Sequence, residues 1–244
     1  MRIHQLIVVG FTAAIGSFGV VSAQDPPPVP LSGEPRHHVV FESATTRIHD
    51  IQIPPGDTTL FHTHDTAILY VPIARSTNRS QVLGAEWSGG GAAAAPAAPV
   101  AAPDRPQRVN SVTTYVEKPY THRVNNIGTS LFRLIGIANR TTGANGASDD
   151  ISGLSAKPEL ENNWYRAHRL TIKPGEATAA HKHATRVVVV MQTVGTAVSE
   201  SPGWNPINGP GDYAWHSGAG DHVVRNRGAN DIELVEIEVR GAGQ

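Results

Sequence analysis

Arg47-Ile48-His49-Asp50-Ile51-Gln52-Ile53-Pro54-Pro55-Gly56, then five residues, then His62-Thr63-His64, decides how this chain folds, because the pattern occurs twice. Its second occurrence is Arg166-Ala167-His168-Arg169-Leu170-Thr171-Ile172-Lys173-Pro174-Gly175, then five residues, then His181-Lys182-His183. Arg, His, Ile, Pro, Gly and both His of the pair recur at a constant offset of 119 without a gap. Internal repetition of this kind fixes the architecture. Each copy alternates apolar and polar residues up to a Pro-Gly pair, which reads as a half-buried strand ending in a turn.

A second echo lies downstream. His122-Arg123-Val124-Asn125-Asn126 matches His222-Val223-Val224-Arg225-Asn226 as His, three residues, Asn, at an offset of 100. The shortfall of 19 corresponds to a low-complexity tract over 88–107, rich in Gly, Ala and Pro, present in the first copy alone. It has no apolar periodicity and reads as a solvated loop. Strand-like runs surround these motifs at 67–73, 111–116, 130–138, 187–194 and 232–239, and no convincing helix of more than two turns occurs. The expected organisation is an export signal over 1–23, a Pro-rich lead-in over 24–36, a first barrel over 37–142, a linker over 143–159 and a second barrel over 160–244.

The 244 residues include no Cys, which excludes disulfides, thiolate metal sites and Cys nucleophiles. Lys+Arg is 20 and Asp+Glu is 21, a balance that argues against nucleic acid as a partner. With 39% hydrophobic residues a packed core is expected, and 24 Gly and 18 Pro suit short strands and turns. Twelve His against two Met is the one oddity of composition.

The N-terminus reads as a cleaved export signal. Arg2 supplies a positive n-region, Leu6 to Val21 is apolar, and Val21-Ser22-Ala23 is a small-residue cleavage site. The apolar run, ~16 residues, is short for a membrane span. The expected localisation is therefore periplasmic or secreted, with no membrane attachment after cleavage. Asn78-Arg79-Ser80 and Asn139-Arg140-Thr141 match the glycosylation pattern, which carries weight only in a glycosylating host.

The spacing of Gly56, His62, His64, then His122 and Asn126, and of Gly175, His181, His183, then Gly211, His222 and Asn226, resembles the two motifs of the cupin superfamily. The resemblance covers about 37–140 and 160–240 and implies an all-β fold of two tandem cupin-type barrels (double-stranded β-helix or jelly-roll), a bicupin. Two departures stand out. The family's motif Glu is missing: Leu69 and Val188 occupy that place. The Pro and second Gly of the second motif are replaced by Glu117 and Pro119, and by Ser217 and Ala219, and Ser111 replaces the first Gly in copy one.

Alternate residues of a strand face one way, so His62 and His64 share a face, as do His181 and His183. With His122 and His222 from distant strands, each copy can assemble a His-only triad suited to a divalent transition metal such as Fe, Cu, Zn, Ni or Mn, one or two per chain. A three-His site leaves the dication uncompensated and favours anionic ligands. His49 and His168 share parity with inward aliphatics and are candidates for general acid/base work, or are hydrogen-bonded core histidines. Arg47 and Arg166 read as strand-end ion pairs, His216 as a loop residue, and Asn126 and Asn226 as turn caps. Copy two keeps Gly195 and Gly211 and reads as the better-formed site.

These features point to an exported metal-dependent oxidoreductase of dioxygenase type, acting on a small enolisable or aromatic compound, anionic substrates included. A Lewis-acid hydrolase, lyase or isomerase, and a non-catalytic metal- or ligand-binding bicupin, are the alternatives; a homo-oligomer is left open.

Overall fold

The computed structural model describes residues 25–89, 107–144, 151, 153–154, 156–199, 204–216 and 221–241. The expected signal over 1–23 and residues 90–106 of the expected insert lie outside them. The described residues are all-β. Their strands are β1 (Val29–Pro30), β2 (His37–Glu42), β3 (Thr46–Ile53), β4 (His62–His64), β5 (Ala67–Ala74), β6 (Asn78–Val82), β7 (Trp87–Gly89), β8 (Asn110–Val112), β9 (Tyr120–Asn126) and β10 (Phe132–Asn139) in the first repeat. The second repeat has β11 (Pro158–Glu161), β12 (Tyr165–Ile172), β13 (His181–Lys182), β14 (Arg186–Met191), β15 (Ala197–Ser199), β16 (Tyr213–His216), β17 (Asp221–His222), β18 (Val224–Asn226) and β19 (Ile232–Val239).

Repeat 1 forms two five-stranded sheets, ordered β2-β3-β10-β5-β8 and β1-β4-β9-β6-β7. Repeat 2 forms a sheet of order β11-β12-β19-β14-β16, with β13-β17 and β15-β18 as two-stranded pieces. Within the Pro-rich lead-in β1 pairs parallel with β4, Val29 opposite His62. Three boundaries differ from expectation. Ser88 and Gly89 belong to β7, and Pro158 and Glu159 to β11, so sheet extends into both the expected insert and the expected linker. Residues 111–116 split into the end of β8 and a 3-10 turn over Thr114–Val116.

The repeated Pro-Gly pair makes the same turn twice. Asp57 N–H donates to Pro54 O at 3.1 Å, and Glu176 N–H to Lys173 O at 3.0 Å. Gly56 and Gly175 take φ of 81° and 75°, the left-handed position that the third residue of a type II turn requires. Asn126 and Asn226 cap loops as expected. Asn126 Nδ2 donates to Ile53 O and Ser130 O at 2.8 Å each, and its Oδ1 accepts from Gly128 N–H at 3.1 Å. Asn226 repeats the set with Ile172 O, Asn230 O and Gly228 N–H.

The large sheets are buried on both faces. Ile48, Leu69, Val71, Ile135 and Ile137 pack against Val188, Val190, Val235 and Ile237 in one core that joins the repeats. Leu69 and Val188, the places of the missing motif Glu, thus face the partner repeat. The opposite face of repeat 2 is filled by Leu170, Ile172, Val187, Val189, Ile232 and Leu234. Tyr165 crosses the seam: its hydroxyl lies 2.6 Å from Ala67 O, to which it donates, and accepts from Asn139 N–H at 3.0 Å. Asn139, a matched glycosylation asparagine, is itself buried, donating through Nδ2 to Trp164 O and Arg240 O.

Tyr165→Phe keeps the ring but takes the hydroxyl away from three buried backbone groups, Asn139 N–H, Ala67 O and Ile137 O. It should cost about 1–3 kcal/mol, read as a lowered urea midpoint with unchanged slope.

Candidate metal centres

The histidines picked out by spacing converge. Among the described residues two groups bring ligand atoms within 4.8 Å of one another: His62, His64 and His122 in repeat 1, and His181, His183, His222 and Glu236 in repeat 2. The i, i+2 spacing puts each His-x-His pair on one face, and strand pairing supplies the third ring: His62 is opposite His122, and His181 opposite His222.

Their tautomers are set by the backbone. His62 Nδ1–H donates to Leu60 O and His181 Nδ1–H to Ala179 O, both at 2.9 Å. A carbonyl only accepts, so in the neutral His62 ring Nε2 carries the lone pair, whereas His181 also faces Glu236 and, as an imidazolium in the apo-protein, donates to that carboxylate from Nε2. In repeat 1 the His64 and His122 Nε2 atoms lie 3.1 Å apart, and His62 Nε2 is buried with no hydrogen-bond partner. Three nitrogens converging with one orphaned lone pair fit a transition-metal ion. His122 Nδ1 is held 3.1 Å from Ser80 Oγ.

Repeat 2 corrects the His-only expectation. Glu236, in the centre of β19, places Oε2 2.8 Å from His181 Nε2 and 3.1 Å from His183 Nε2, and Oε1 3.4 Å from His222 Nε2. A carboxylate is present, supplied by a different strand from that of the motif. Behind it, Glu238 Oε1 lies 3.1 Å from His183 Nδ1, a carboxylate that orients the ring. Both carboxylates are missing from repeat 1, where Gly136 and Ala138 stand 100 residues earlier. Their signal was parity: Glu236 and Glu238 alternate on the same face as Ile232 and Leu234.

His49 and His168 also lie inward, at 0% and 1% exposure. His168 Nδ1–H donates to Ala156 O at 2.8 Å, His49 Nδ1 lies 3.4 Å from His37 O, and both Nε2 atoms are buried without a hydrogen-bond partner. His37 was not singled out by the sequence. It is buried against His62 at a ring separation of 4.5 Å, with Nδ1 2.6 Å from Glu34 Oε2. Tyr115 packs on His64 at 4.9 Å and stacks on Tyr120 at 5.6 Å and 8°. Arg47 makes the expected strand-end pair with Glu42, at 2.6 Å. Arg166 likewise pairs at a strand end, with Glu161 at 4.0 Å, and is deeply buried, opposite Glu238 in the strand register. His216 ends β16 rather than lying in a loop, and stacks on Trp204, which also covers His222.

The two groups differ electrically in the apo-protein. Burial, reinforced by neighbouring imidazoles, lowers His64 to about 2 and His122 to about 3, so repeat 1 is neutral near pH 7. Burial would also lower His183, but hydrogen bonds to Glu236 and Glu238 win and raise it to about 9. Burial would raise the Glu236 carboxyl, yet the three His hold it well below the usual carboxylate range.

No protein-family model matches the chain, and no curated protein does. Solved structures match its shape. A Cupin 2 conserved barrel domain protein from Leptotrichia buccalis aligns over 90% of this chain and 92% of its own at TM-score 0.47 and 12% identity. AerE from Microcystis aeruginosa aligns over 82% and 90% at 0.54 and 12%. A salicylate 1,2-dioxygenase from Pseudaminobacter salicylatoxidans aligns over 81% and 71% at 0.50 and 10%. The all-β fold is shared with AerE and the salicylate 1,2-dioxygenase. At these identities the likeness speaks for architecture alone, and the chemistry has to come from the side chains.

His49 and His64 are held neutral at about 4 and about 2, below the ordinary 6.5 that they regain on unfolding. Their depressed values give stability that is present above about pH 6.5 and lost as pH falls toward the folded values. The apo-protein should weaken by about 1.4 kcal/mol per pH unit for each such histidine below that point. Urea midpoints of metal-free protein between pH 7 and pH 5 check this; a flat profile contradicts it. The raised His183 works oppositely, its contribution being lost as pH rises through about 9.

Proposed function

We propose that the chain is an exported metal-dependent oxidoreductase of dioxygenase type, acting on a small enolisable or aromatic compound at the three-His centre of repeat 1. The observation that carries this is the convergence of His62, His64 and His122 on one point with no carboxylate in the set. A transition-metal ion held there supplies Lewis acidity toward an anionic oxygen and, if redox-active, a path for electrons between the organic substrate and O₂.

The protein's own groups supply the rest. Leu60 O and Ser80 Oγ fix which nitrogens His62 and His122 offer. The Tyr115–Tyr120 stack gives a flat wall beside His64 and His122, against which an aromatic ring can lie. His49 presents a buried, unprotonated Nε2 and is the group we assign to take the proton of an enol or phenol. His168 holds the equivalent place in repeat 2. We read the two repeats as two cupin barrels, and the export signal as placing the enzyme in the periplasm or outside the cell.

Lewis-acid chemistry without O₂ is the second reading, favoured by the His168 Nε2 that lies buried and unpartnered in the repeat that carries Glu236. The expected result is one or two equivalents of a redox-active metal by elemental analysis and O₂ consumption with a catechol or β-diketone. His62→Ala should abolish turnover by at least about 100-fold with the metal of repeat 1 lost. Turnover that persists anaerobically favours the second reading; zinc alone, with no O₂ uptake, overturns the first.

A further inference from the structure

The two centres differ through one cross-strand pair. In repeat 2, Glu236 stands opposite Val189 in the register of β19 and β14. In repeat 1 the same register of β10 and β5 sets Gly136 opposite Tyr70. The acid and the small aliphatic of one repeat have become a missing side chain and a large phenol in the other. Tyr70 takes the space and brings its hydroxyl 3.5 Å from His64 Nδ1. A Cβ at Gly136 would stand 3.1 Å from Ile51 Cδ1, 3.2 Å from Ile68 Cδ1 and 3.7 Å from Tyr70 Cε1, so a Glu there needs the two Ile ends to give by a few tenths of an ångström and the Tyr70 ring to make room. Glu34, an acid that acts electrostatically on His62, is engaged by His37 and by the backbone N–H groups of Arg36 and Leu60.

We infer that this exchange makes the centres unequal: repeat 2 holds a divalent ion tightly and unaided, whereas repeat 1 holds one well only together with a small anionic ligand. Three neutral imidazoles leave a dication's charge uncompensated in a buried site, and such charge is costly until an anion enters. In repeat 2 Glu236 is that anion, built into the strand. Metal and anion therefore bind repeat 1 with positive coupling, and an enolate, phenolate or carboxylate is the class of ligand it takes. The inference rests on the metal-centre reading proposed above and names which repeat meets the substrate.

The test uses the full chain, stripped of metal and titrated with Co(II), with and without sodium azide as probe, followed by visible absorption. His64→Ala should leave one tight site indifferent to azide. His183→Ala should leave a site at least about tenfold weaker, tightened about fivefold or more by azide with a changed spectrum. Adding Tyr70→Val and Gly136→Glu together to His183→Ala should tighten repeat 1 and remove the azide response. The isosteric Glu236→Gln, which disturbs packing least, should give repeat 2 an azide response of its own. Equal affinities without azide, an azide response that survives in His64→Ala, or no Co(II) in repeat 1 even with azide would overturn the inference. Absent O₂ consumption bears on the proposed activity and leaves these constants untouched, so the two fail separately.

Discussion

An imidazole that gives its Nδ1–H to a carbonyl has only Nε2 left to offer. That constraint organises both halves of this molecule. Leu60 O and Ala179 O, 119 residues apart, impose it on His62 and His181. The carbonyls of residues 37 and 156, at the same offset, face His49 and His168. The duplication has thus kept not only the rings but the backbone acceptors that aim them. Strand pairing then brings a third ring to each pair, and convergence follows without any loop having to close.

The architecture and six of the seven clustered ligand groups were legible because they obey short-range periodicity. An i, i+2 pair says which side chains share a face, and a gapless repeat says that the arrangement matters twice. Glu236 escaped for a physical reason. An alternating strand such as Ile232–Val239 is ordinarily read with its acids in water, yet this sheet is covered on both faces. Its apolar parity, Val235, Ile237 and Val239, meets the other repeat, so the acidic parity has nowhere to go but inward. Glu34 and His37 escaped because their contacts with Leu60 and His62 span about twenty-five residues and leave no periodic trace.

Burial on both faces also ties the repeats together. A shared core and the Tyr165 hydroxyl bridging to Ala67 make each large sheet the support of the other. The seam therefore fixes where Glu236 and Gly136 stand relative to their rings. At one facing pair, Gly136 and Tyr70 against Glu236 and Val189, a bulky residue is gained where one is lost, while Leu69, Val71, Ile135 and Ile137 and their counterparts Val188, Val190, Val235 and Ile237 keep the centre of the seam aliphatic.

The short parallel pairing of Val29–Pro30 with His62 and Thr63 carries a last consequence. Repeat 1 takes an edge strand from the stretch ahead of its first motif, and that stretch also delivers Glu34 to Leu60. Its ligand sheet is therefore a zipper fastened from the chain's beginning. A protease trimming the segment through His37 would unfasten that edge and uncover one face of His62.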